Sequence, residues 1–332
     1  MTDSAAPTND DVVAGTVLDG LVDLASERLG GRAVEANDEF FAPKENLLKP
    51  GDAVFDPDRY TERGKWMDGW ETRRRRSPGH DWCVVVLGAP GRVRRLVVDT
   101  RHFRGNHPEA CSVDASPRSG GDEWTELLAR APLAGDSPNE FAIDDERSFA
   151  RLRLNIYPDG GVARLRVLGE PRPDWPALIA GGEPIDLAAA LHGGAPLACS
   201  DRFFSDPRNL LMPGPSTHMG DGWETRRRRG PGHDWVVIRL GHPGVIERAE
   251  LDTTHFKGNY PAACRLEGGL AEPDGFPADE AWRELLGRSE LGPDAVHGFE
   301  VDAAAGSVSH VRLSTYPDGG VARLRLWGRP VG

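Results

Sequence analysis

The sequence predicts an all-β protein built as two tandem β-sandwiches from an internal duplication. Three observations predict it. Long blocks recur once along the chain, the clearest periodic segments alternate apolar with charged residues, and Gly/Pro-rich turns separate them. The block DGWETRRRR at residues 68–76 returns at 221–229, a shift of 153. At that shift GHDW at 79–82 returns at 232–235, and DTRHFRGN at 99–106 returns as DTTHFKGN at 252–259. NLLKPG from Asn46 returns as NLLMPG from Asn209, and YPDGGVARLR from Tyr157 returns from Tyr316. Those shifts are 163 and 159, so insertions fall between the blocks, where loops accept them. A long period seen twice is a duplicated domain rather than a solenoid.

The elements follow in order. Residues 1–23 read as a flexible polar tail, 24–170 as the first repeat, 171–183 as a Pro/Gly-rich linker and 184–332 as the second repeat. Residues 82–87, a GAPG turn at Gly88 and residues 93–98 read as a hairpin. Residues 235–240, GHPG at Gly241 and 245–251 match it. Residues 151–157 alternate apolar and charged, as do 162–167, and PDGG between them reads as a hairpin turn. Such alternation buries one face and wets the other. Trp124, Leu127 and Leu128 are spaced i, i+3, i+4, as are Trp282, Leu285 and Leu286. That spacing predicts one short helix per repeat. All-β with one sandwich per repeat is the fold class these elements make.

Composition narrows the function classes. With 39% hydrophobic and 28% charged residues the chain reads as globular rather than disordered. No apolar run is long enough to span a bilayer, and the N-terminus lacks the features of a secretory signal. A formal net charge of -12 argues against nucleic acid as a partner. Four cysteines without a CxxC pair read as reduced thiols of a cytoplasmic protein.

The repeated polar blocks are the candidate site. If DGWETRRRR is extended, Glu71, Arg73 and Arg75 share one face, as do Glu224, Arg226 and Arg228. An acid beside two guanidiniums suits a carboxylate ligand and keeps a base nearby. The plainer reading makes Trp70 and Trp223 core anchors and Arg74, Arg76, Arg227 and Arg229 a solvated face. In DTxHF[RK]GN, Asp99 and Asp252 end a strand. His102, Asn106, His255 and Asn259 then fall on the loop beyond it. An Asp and a His three residues apart serve as base and orienter, or as metal ligands. Alternatively the Asp accepts turn N–H bonds and the His packs on the sheet rim. His80-Asp81 and His233-Asp234 fit a cap or turn as well as chemistry. Tyr157 and Tyr316 stand beside the PDGG turns, where a pocket is the other option. His102 and His107 have an H-x4-H spacing, but Tyr260 replaces the second histidine in the other copy, which weakens a metal site there. HExxH, GxSxG and P-loop motifs are absent.

Taken together in order and twice, these blocks resemble the allantoicase family. The resemblance runs from DLASERLGG at Asp23 to the last RLR strand. It implies two jelly-roll sandwiches of the galactose-binding or discoidin-like kind. It also implies a hydrolase of linear amidine-type C–N bonds that converts allantoate to (S)-ureidoglycolate and urea in purine and allantoin degradation, and a homo-oligomer. No cofactor is required by the sequence, and a divalent metal stays open. On this reading Glu71 with His102, and Glu224 with His255, are the catalytic acid–base pairs. Arg73, Arg75, Asp99 and Asn106, and Arg226, Arg228, Asp252 and Asn259, are the substrate-binding residues. Arg73 and Arg226 would clamp the carboxylate, Asp99 and Asp252 would orient the histidines, and Asn106 and Asn259 would hold a ureido group. The rivals are a non-catalytic tandem ligand-binding module and a ureide hydrolase that releases ammonia from the same substrate. Glu, His and Asp in the repeated blocks favour an enzyme over a binding module.

Overall fold

The structure is a computed structural model that describes residues 15–117, 123–273 and 275–331. It separates into two compact units. One spans Val22–Pro173; the other holds the segment from Asp174 onward together with the N-terminal segment through Leu21. Each is a two-layer antiparallel β-sandwich organised by one long strand.

In the first unit that strand is Asp81–Asp99. Its first part pairs with Arg32–Ala36 on one side and Ser148–Tyr157 on the other. Ala110–Ser116 and Thr125–Pro132 extend this layer beyond Ser148–Tyr157. Its last part pairs instead with Pro138–Ala142 and Arg164–Pro171, and Val22–Asp23 adds to the latter. The strand thus passes from one layer to the other. Cys83, Val85, Leu96, Val98, Leu152, Leu154, Ile156, Leu165 and Val167 are buried. The alternation read from residues 151–157 is therefore a real in–out pattern, with Arg151 and Arg153 only half-buried. The second unit repeats the plan around Asp234–Asp252, which pairs first with Ala195–Cys199 and Val308–Tyr316, then with Val296–Glu300 and Arg323–Pro330.

The structure corrects several expectations. GAPG and GHPG are not hairpin turns, because each lies inside its continuous long strand. Their glycines serve close approach: a Cβ on Gly88 would meet the Leu29 carbonyl, and one on Gly91 that of Glu170. Gly241 and Gly244 are crowded likewise by the backbones of His192 and Arg329. PDGG does not close a hairpin either. The strands on its two sides pair with different parts of the long strand, so it carries the chain between layers. The short helices expected at Trp124 and Trp282 are edge strands, Thr125–Pro132 and Arg283–Glu290. Their tryptophans cover neighbouring guanidiniums. Arg151 lies 4.6 Å and Arg153 5.0 Å from the Trp124 ring, and Arg312 lies 4.6 Å from Trp282. One apolar turn cannot hold a helix against pairing with a neighbouring strand. Of the expected tail, residues 1–14 lie outside the described residues. Thr16–Val17 is a strand on Ala195–Cys199. The expected linker contains a helix, Trp175–Ala180, whose first turn is capped by Asp174 accepting from the Ala177 N–H at 3.0 Å.

Candidate active site

The three repeated polar blocks lock together at one end of each sandwich. Trp70 is fully buried and donates its indole N–H to the Asp38 carbonyl at 2.8 Å. It anchors the strand Trp70–Glu71, which pairs with Gly161–Val162 just past the PDGG crossing. There the Gly160 N–H donates to the Thr72 hydroxyl (3.1 Å) and the Gly161 N–H to the Asn106 carbonyl (2.8 Å). Gly160 has φ +138°, which favours glycine, and a Cβ on Gly161 would overlap the buried Phe103 ring. Sequence thereby fixes geometry: the PDGG crossing clasps the Glu71 strand on one side and the His102–Asn106 loop on the other.

The result is a cavity of about 450 Å³ in the first unit, a size usual for small-molecule sites. Glu71, His102 and Asn106 line it, together with Phe41, Phe55, Arg63, Lys65, Met67 and Arg104. Asn106 Nδ2 donates to Glu71 Oε1 at 2.7 Å. Burial pushes the Glu71 carboxyl above its ordinary range, and the Asn106 bond only partly offsets this. His102 has φ +73°, a rare conformation for a residue with a Cβ. Its N–H donates to Asp136 Oδ1 at 2.8 Å, which helps hold that backbone. That N–H bond, ahead of the Arg104 guanidinium, also keeps the Asp136 carboxyl below its ordinary range. His102 Nε2 lies 3.1 Å from the Ala53 carbonyl, which can only accept. The neutral ring therefore carries its proton on Nε2 and its lone pair on Nδ1. Phe55 stacks on the ring with centroids 5.6 Å apart. Left-handed backbone at a polar loop residue is the kind of outlier that clusters at functional sites.

The second unit repeats this constellation. Asn259 Nδ2 donates to Glu224 Oε1 at 2.6 Å. His255 also has φ +73°, with its N–H on Asp294 (2.7 Å) and Nε2 at the Ser216 carbonyl (3.0 Å). Trp223 is buried, with its indole N–H on the Asp201 carbonyl at 2.8 Å.

The other residues expected at the site lie elsewhere. After Glu71 the chain leaves its two-residue strand, so Arg73 and Arg75 do not share its cavity. They line a separate, open depression with Arg74, Arg76, Asp38 and Asp81. Arg73 Nε is bound by Asp38 at 2.6 Å, and Arg75 by buried Asp81 at 2.5 Å. Arg226 and Arg228 are held in the same way by Asp201 (2.8 Å) and Asp234 (2.5 Å). Asp99 does not orient His102. It accepts from the Arg101 N–H (2.8 Å) and ion-pairs its guanidinium (2.6 Å). Asp252 accepts from the Thr254 N–H at 2.7 Å. The histidine ring partner is instead the carbonyl of Ala53, on a segment that does not match between the repeats.

Sequence reasoning missed Phe55, Arg63 and Lys65. Their signal was the block spacing: Asn46 to Asp68 is 22 residues, against 12 from Asn209 to Asp221. The extra residues build a small hairpin, Tyr60–Thr61 with Gly64–Lys65, at the cavity wall. Among the described residues no group of three His, Cys, Asp or Glu is placed to hold a metal ion.

Fold and site together define a tandem β-sandwich with a small-molecule cavity equipped for acid–base chemistry. The sequence profile of the Allantoicase repeat matches residues 22–172 and 185–331. A probable allantoicase of Pseudomonas aeruginosa (strain LESB58) is 51% identical over 319 residues, covering 93% of this chain and 96% of that protein. Probable allantoicase 2 of Burkholderia pseudomallei (strain K96243) is 49% identical over 317 residues, covering 92% and 94%. The crystal structure of allantoicase from Saccharomyces cerevisiae superposes with a TM-score of 0.80 at 36% identity, covering 93% of each chain. The chain belongs to the allantoicase family.

Proposed function

We propose that the protein hydrolyses allantoate and that Glu71, His102 and Asn106 carry the reaction in the first-repeat cavity. Family membership supports the activity. One observation carries the site: a carboxyl raised by burial, hydrogen-bonded to an amide, shares a cavity with a conformationally constrained histidine.

Allantoate bears a carboxylate and two ureido groups on one carbon. Hydrolysis breaks one C–N bond, forms a C–O bond from water, and yields urea and ureidoglycolate. The departing ureido nitrogen needs a proton, because its anion is a poor leaving group. Glu71, whose burial shifts its carboxyl towards the neutral form, supplies it. Water must lose a proton as the C–O bond forms, and Nδ1 of His102 is the base. The Nε2 bond to Ala53 fixes the tautomer and becomes stronger when the ring is charged. Asn106 orients Glu71 and leaves its amide oxygen to accept a ureido N–H. Glu224, His255 and Asn259 form the equivalent set in the second repeat.

These steps use side chains of this chain alone, and the chelator arm below decides whether a divalent metal takes part. The reading extends to a cytoplasmic homo-oligomer acting on a small molecule, with neither nucleic acid nor membrane as partner. The charge of -12 supports the absence of a nucleic-acid partner, the four free, buried cysteines support the cytoplasm, and the homo-oligomer rests on the family resemblance alone. Among the described residues no helix is long and apolar enough to cross a membrane.

The test is urea and ammonia release from allantoate by the purified protein, with and without a chelator. Urea without ammonia is expected. Ammonia as the nitrogen product would replace this reading with the rival ureide hydrolase, and neither product would leave a binding module.

A further inference from the structure

The first-repeat cavity contains two cations that the acid–base steps do not use. Among the described residues neither Lys65 nor Arg63 has a carboxylate partner. Lys65 Nζ donates to the Asp56 carbonyl at 2.6 Å and sits 4.7 Å from the Tyr60 ring and 5.2 Å from Phe55. Aromatic faces and one carbonyl hold an ammonium in place without cancelling its charge, and two of its three hydrogens remain to donate. Arg63 is held in the same manner, donating to the Phe40 carbonyl at 2.8 Å with its guanidinium 4.9 Å from the Phe40 ring. Arg104, the third cation of the lining, is 84% exposed and already paired with Asp136 at 2.9 Å.

Both residues sit on a hairpin that, among the described residues, the second repeat lacks. In the second repeat the shorter segment folds into one turn, Met219–Asp221, and exposed His218 takes the place of Lys65. The Met219 sulfur lies 3.9 Å from Asn259 Nδ2. The second repeat thus keeps the acid, histidine and amide and lacks the hairpin cations.

We infer that Lys65 and Arg63 bind the substrate carboxylate and set specificity for a ureido acid, and that the hairpin carrying them makes the first repeat the hydrolytic site. This rests on reading that cavity as the place of hydrolysis.

The experiment is steady-state urea release from allantoate by wild type, Lys65→Met, Lys65→Arg, Arg63→Gln, Glu71→Gln and Glu224→Gln. Lys65→Met is expected to raise KM at least tenfold with a smaller change in kcat. Lys65→Arg should recover most of that loss, since the charge returns. Arg63→Gln should raise KM in the same direction, and Glu71→Gln should lower kcat at least tenfold further than Glu224→Gln does. Lys65→Met with unchanged KM, or Lys65→Arg as impaired as Lys65→Met, would overturn the inference. So would equal losses of kcat in Glu71→Gln and Glu224→Gln. A wild-type protein that releases no urea would instead remove the functional reading itself.

Discussion

Replacing Glu71 by Gln separates chemistry from architecture at this site. The amide is nearly the same shape and its oxygen still accepts from Asn106, a bond of 2.7 Å in the native protein. The clasp between strand and loop therefore survives, and the stability change should stay within about 1 kcal/mol. What is lost is the proton for the leaving ureido group. Loss of a positioned general acid lowers kcat by roughly 10² to 10⁴-fold, or about 3 to 5 kcal/mol of barrier. The pH dependence gives a second readout. A glutamate in an unfolded chain titrates near 4.5, and burial raises native Glu71 above that. The acid form is the active one, so kcat should fall as pH rises through the native value, and E71Q should lose that limb. Stability follows the same sign. Between the unfolded and native values the native state holds the extra proton, so this contribution is full below 4.5 and declines as pH rises through the native value. Urea release across pH, paired with urea-melt stability of both proteins, measures each. A kcat for E71Q within threefold of wild type, with the alkaline limb unchanged, would refute the assignment of the acid.

Three further outcomes are expected. Arg73→Ala should change kcat/KM less than threefold and cost about 0.2 to 1 kcal/mol, because its guanidinium is spent on Asp38 outside the cavity; a hundredfold loss would return it to the substrate. Gly161→Ala drives a methyl into the Phe103 ring. It should cost about 1 to 3 kcal/mol in a denaturant melt and lower kcat as well, since the Asn106 loop hangs on the Gly161 N–H. Burial, ahead of the field of Arg239, depresses His310 from 6.5 to about 4. Its contribution to stability is full above 6.5 and should fade as pH drops towards 4, with a shallower acid limb in His310→Asn.

Much of the fold was written in the repeated blocks. Alternation at residues 151–157 marked a half-buried strand because burial at Leu152, Leu154 and Ile156 is itself periodic. The glycine-rich motifs misled because a glycine admits two explanations. In sequence Gly88 and Gly91 look like turn formers, whereas the backbones of Leu29 and Glu170, distant in sequence, crowd them inside a strand. Trp124 with Leu127 and Leu128 mimicked a helix because five residues cannot separate the two periods, and cross-strand pairing decided the matter. At the site, Glu71, His102 and Asn106 were legible because whole polar blocks recur. The arginines were not: assuming an extended DGWETRRRR placed Arg73 and Arg75 with Glu71, and the strand ends at Glu71. Arg63 lay in the unmatched insertion, where a search for repeats is blind, and Lys65 at its edge corresponds to His218 in the other copy, so repetition did not mark it.

The long strand shared by both layers has a consequence for synthesis. Residues 95–99 find their partner in Arg164–Pro171 only after more than sixty further residues have been made. Until then that part of the organising strand has Pro138–Ala142 on one edge and an open edge on the other as the chain leaves the ribosome. The strand that closes the second repeat, within YPDGGVARLRLWG, is nearly identical to that of the first, YPDGGVARLRVLG. Edge chemistry alone therefore cannot tell the right closing strand from its copy. Order of emergence does: the first repeat meets its own closing strand before the competitor exists.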